Sequence, residues 1–135
     1  MNNVILNKAA SLERCIKRIQ EEYSGYEKEF KTNHTKQDAI ILNIERTCQI
    51  TIDMGMTTIK EKGLGIPQNS REVFDILAKN DMITMEMSLE LKHMVGFRNL
   101  AVHTYQEIDL NIVESIITKH LSTLLQFSSI MLRQN

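Results

Sequence analysis

The chain has one proline, Pro67, and on both sides of it apolar residues return every three or four positions over long distances. A 3.6-residue repeat of this kind buries one stripe of a helix. From Val4 to Tyr23 the stripe is Ile5, Ala9, Leu12, Ile16, Ile19 and Tyr23, and "YSGYE" then breaks it. Thr35 with Asp38 resembles a capping box, and Ile41, Ile44, Cys48, Ile52 and Ile59 carry a second stripe to about Lys62. "GLGIPQNS" is the strongest punctuation in the chain. Beyond it, Ser70 is expected to cap a short helix with Val73, Phe74 and Leu77, ending near Asn80. Thr84 caps a fourth helix with Leu91, Met94, Val95 and Arg98. Asp109 caps the last, with Val113, Ile117, Leu121, Leu124 and Met131 facing inward. No two-residue alternation competes. Short loops between such helices make antiparallel neighbours, so the expected fold is all-α, an up-and-down bundle of about five helices.

At 135 residues the chain suits one domain, 1–135, rather than two. A domain of this size buries roughly 68–70% of its unfolded surface, enough for a hydrophobic core. Net charge is −1, so no global field draws the protein to nucleic acid or anionic lipid, and polyanion contacts must come from a local patch. Cys15 and Cys48 read as small core residues of a reducing compartment, not as a disulfide framework. The first apolar stretch is too short for a signal peptide, and no run approaches the roughly 20 residues of a membrane helix. A cytoplasmic protein without a membrane partner is expected. The cluster Met82, Met85, Met87 and Met94 fits either core filling or an adaptable surface.

The run "GFRNLAVHTY" sets Arg98, His103 and Tyr105 among apolar neighbours. Arginine offers a permanent, planar cation whose donor fork fits two phosphate oxygens. Histidine is the side chain whose unperturbed pKa lets it take and give a proton near neutrality. A phosphodiester next to a 2′-hydroxyl needs both: a base for the 2′ proton, an acid for the leaving 5′ oxygen, and a cation for the phosphoryl oxygens. On a continuous helix, however, residues five apart are turned by about 140°. For the two groups to meet one substrate, either the helix ends between them or two copies face each other across a two-fold axis. Spacing alone also admits a plainer account: Arg98 complementing a helix dipole, His103 a satisfied core histidine, and Tyr105 a core ring. The histidines and cysteines show no metal-ligand spacing, and "GLGIPQ" lacks the lysine of a phosphate loop.

"MVGFRNLAVHTYQEID" resembles the signature of the HEPN superfamily, and the form R-x-x-x-x-H-x-Y is similar to that of the HepT toxins of HepT–MntA toxin–antitoxin pairs. "LNIERTCQITIDMG", "GLGIPQNSREVFDIL" and "NDMITMEMSLELKHMVGFRN" fall in that family's order, so the likeness spans nearly the whole chain. The resemblance implies a helical homodimer with its cleft at the subunit interface. It implies metal-independent endoribonuclease activity on RNA through Arg98 and His103, with Asn99 as the polar residue beside the arginine. It further implies control by an MntA-like nucleotidyltransferase antitoxin that adenylylates Tyr105, using ATP and Mg²⁺ that belong to the partner; no cofactor is expected on this chain. Asp53, in "ITIDMG", either orients His103 or Arg98 from the second helix or sits on a solvated face. Lys92 and His93 are the other candidates for a local basic patch, or else plain solvated residues. A different class of function stays open at this point: a non-catalytic helical module that presents nucleotide or substrate to an associated nucleotidyltransferase.

Overall fold

The computed structural model describes residues 3–134; Met1, Asn2 and Asn135 of the domain expected over 1–135 lie outside the described residues. Every regular element among those residues is helical: α1 (Asn3–Tyr23), α2 (His34–Lys62), α3 (Ser70–Lys79), α4 (Met85–His103), α5 (Leu110–Ser115) and α6 (Leu121–Gln134). A π turn, Ile116–His120, joins α5 to α6, so the two make the fifth rod that the sequence implies. Short 3₁₀ turns fill Phe30–Thr32 and Tyr105–Glu107.

The helix α2 is the centre of the bundle. Packed on it are α1, α3, α4 and α6, which is why it buries residues on several sides and not on one stripe. Its buried threonines solve their own polar problem: Thr47, Thr51 and Thr58 hydroxyls donate to the carbonyls four residues back, at 2.6, 2.8 and 3.0 Å. Gly63 ends the helix in the left-handed region at φ 62°, a conformation that costs a residue without a Cβ least.

The stripes expected for α1 and α3 are buried as read, with Tyr23 only half-buried. Two caps differ from expectation. Asn33, not Thr35, caps α2, accepting from the Lys36 amide at 3.0 Å. Asn69, not Ser70, caps α3, accepting from the Glu72 amide at 3.0 Å. Thr84 and Asp109 cap α4 and α5 as expected. In the last rod the π turn adds a residue to one turn, so Ile116 is buried and Ile117 only partly. The inward face then resumes at Leu121, Leu124, Phe127 and Met131. The methionines divide: Met94 is buried, Met82 and Met87 are partly so, and Met85 stands in solvent.

At Gly55 the backbone of α2 packs tightly against side chains of α3. A Cβ there would lie 2.6 Å from Val73 Cγ1 and 3.3 Å from Leu77 Cδ1, both on fully buried side chains. Gly55→Ala would gain up to about 1 kcal/mol of helix propensity. Overpacking a close-packed core costs about 1–3 kcal/mol, so overpacking wins. Urea denaturation should show a net loss of about 1–2 kcal/mol. A variant as stable as the parent would mean that α3 moves aside freely.

Candidate functional site

The site residues gather at the C-terminal end of α4. Phe97 and Ala101 are buried and anchor the last turns, while Asn99, Leu100, Val102 and His103 face solvent. Thr104, at φ −138° and ψ 56°, leaves helical geometry, and its amide and hydroxyl both donate to the Leu100 carbonyl, at 2.7 and 3.1 Å. The chain then tightens into the 3₁₀ turn that carries Tyr105.

The helix does not end between Arg98 and His103. It runs through both, and His103 is its last residue. The two side chains therefore leave the axis about 140° apart. Arg98 is partly buried and looks toward α2: its charge reaches the buried Cys48 thiol, which burial pushes up to about 12 while Arg98 acts in the opposite sense. The guanidinium also donates through Nη1 to Asn99 Oδ1 at 3.1 Å. His103 is exposed, with no hydrogen-bond or ion-pair partner among the described residues. Leu100 and Val102, also exposed, put apolar surface at this corner.

Tyr105 is 43% exposed, and its hydroxyl donates to Asp38 Oδ1 from α2. Partial burial, the bond to Asp38 and the charges of Asp38 and Glu45 push the phenol up to about 12. Asp38 by its bond and Glu45 by its charge are thus neighbours of Tyr105, and the sequence reading missed them in this role. Asp38 had served only as a capping acid, and no local signal marks a contact between residues 67 positions apart.

Asp53 turns the other way. It accepts from Gln49 Nε2 at 2.9 Å and pairs with Lys8 of α1 at 3.3 Å; among the described residues it makes no bond to Arg98 or His103. Lys92 is held by Asp75 of α3 at 2.7 Å, and His93 stands exposed beside it. Neither extends the charge of Arg98. No three or more His, Cys, Asp or Glu side chains among the described residues are grouped to hold a metal ion. No helix among them is long and apolar enough to cross a membrane.

A helical bundle that presents arginine and histidine at the open end of one helix, with a tyrosine just beyond, is the architecture of a HEPN-type protein. Residues 12–131 match the family Ribonuclease HepT-like, and the chain belongs to that family. It is 47% identical over 131 residues to a Shewanella oneidensis protein named mRNA nuclease HepT, covering 97% of this chain and 98% of that one. It is also similar to the tri-AMPylated S. oneidensis HEPN toxin solved in complex with an MNT antitoxin: TM-score 0.93, 45% identity, 98% of this chain and 99% of that one. A toxin–antitoxin structure with AMP-PNP aligns with the same score, identity and coverage.

Proposed function

We propose that this chain is the toxin of a toxin–antitoxin pair, a cytoplasmic endoribonuclease that needs no metal and is silenced by adenylylation of Tyr105. The observation that carries the reading is the placement of Arg98 and His103 on an unbroken α4, one facing the body of the bundle and one facing out. A single chain supplies only one imidazole, and the cleavage calls for both a base and an acid. A second copy docked across this corner by a two-fold axis would set two arginines and two histidines around one cleft, since an isologous contact repeats every residue. The exposed Leu100 and Val102 supply apolar surface for that contact.

In such a cleft one His103 takes the proton from the ribose 2′-oxygen, which attacks the neighbouring phosphorus. The bond to the 5′ oxygen breaks, and the second His103 returns a proton to it. Arg98 neutralises the charge that builds on the phosphoryl oxygens, and Asn99 holds the guanidinium plane. The products are a 2′,3′-cyclic phosphate and a free 5′-hydroxyl. The partner would be an MntA-like nucleotidyltransferase that supplies ATP and Mg²⁺. The phenol oxygen of Tyr105 attacks the α-phosphorus of ATP, its proton passes to Asp38, and pyrophosphate departs. The AMP left on Tyr105 brings bulk and negative charge into the proposed cleft and opposes an anionic substrate by repulsion and occlusion.

Purified chain incubated with RNA in excess chelator should give fragments ending in 2′,3′-cyclic phosphate. RNA left intact until a divalent metal is added would overturn the mechanism.

A further inference from the structure

A groove of about 640 Å³ runs between α1 and α2. The two helices are antiparallel there: Lys8 pairs with Asp53 at one end and Glu22 with Lys36 at the other, both at 3.3 Å. Those pairs occupy both carboxylates that line the groove. Between them stand Arg14 and Arg18 of α1, four residues apart and so on one face, opposite Arg46 of α2. Among the described residues no carboxylate pairs with any of the three. Arg14 donates to the Ser11 hydroxyl at 3.0 Å, and Arg18 and Arg46 have no partner among those residues. All three are exposed.

We propose that this groove binds the phosphates of single-stranded RNA, holding the strand beyond the scissile bond. The inference rests on the ribonuclease reading above and deepens it by supplying the local basic track that a chain of net charge −1 requires. Guanidinium groups fit phosphate by two-point hydrogen bonding, and a row of them along an open groove follows a backbone without reading bases. Ala39, which lines the groove, follows Asp38 directly on α2, so the groove adjoins the Tyr105 contact.

The test measures binding of a single-stranded RNA oligonucleotide to full-length chains carrying His103→Ala, so that the RNA survives. Adding Arg18→Ala and Arg46→Ala should weaken binding about tenfold or more near physiological salt. The slope of log affinity against log salt should shrink by about 1.4, at roughly 0.7 for each phosphate left without its guanidinium. Lys79→Ala with Lys119→Ala removes the same charge elsewhere on the surface and should change neither quantity. If the double alanine variant fails to fold by circular dichroism, Arg18→Gln with Arg46→Gln takes its place under the same expectations. Unchanged affinity and slope in the groove variant would overturn the assignment. So would loss of co-purifying antitoxin or of dimer with RNA binding intact, which would mark a protein-binding surface. Either result alongside wild-type cleavage removes the groove alone; uncut RNA with the wild-type chain removes the reading beneath it.

Discussion

His103→Ala should reduce RNA cleavage by about 10²–10⁴-fold, the range that a positioned acid–base group contributes. In the proposed dimer the same substitution removes the base from one copy and the acid from the other, so the loss should sit at the upper end. The fold should not suffer, because His103 is the exposed last residue of α4 and its side chain bonds to nothing among the described residues. Its urea midpoint should match the parent's, and growth arrest on expression should disappear. Arg98→Ala should be as inactive for a different reason: it removes charge stabilisation, not proton transfer. A His103→Ala chain that still cuts RNA at the wild-type rate would end the mechanism.

Tyr105→Phe should separate killing from control. The ring stays, the nucleophilic oxygen goes, and co-expression with the cognate nucleotidyltransferase should leave the chain without an AMP unit in its intact mass. Cells making the variant with that partner should arrest as if it were absent. At neutral pH the wild-type phenol, pushed up to about 12, is overwhelmingly protonated, so its attack on ATP needs an acceptor for the proton. Asp38 already receives that hydroxyl. AMP found on the phenylalanine variant would place the modification elsewhere and overturn the scheme.

Much of this architecture was readable from residue spacing, and the failures have physical causes. The α1 and α3 stripes are true because each of these helices turns one face to the core. The α2 stripe was too narrow because helices pack around α2, and residues such as Thr47 and Thr51 are polar in composition yet satisfied within the helix. Asn33 and Asn69 cap as well as serine or threonine, and a neighbouring serine or threonine hides them. A π turn leaves no mark in hydrophobic period until the phase slips past it. At the candidate site, spacing alone left Arg98, His103 and Tyr105 open to a plainer account and only the family resemblance singled them out, whereas Asp38 and Glu45 became neighbours of Tyr105 only through folding. The cations of the α1–α2 groove escaped notice for the same reason: Arg14, Arg18 and Arg46 come from two helices and form no run.

An α4 that runs unbroken from Arg98 to His103 also has a dosage consequence. If neither copy alone holds a complete centre, the nuclease present at low abundance grows with the square of chain concentration, by mass action. Under that law, halving the unmodified chains cuts the active pairs about fourfold. In the proposed scheme, partial adenylylation therefore lowers the nuclease more than in proportion.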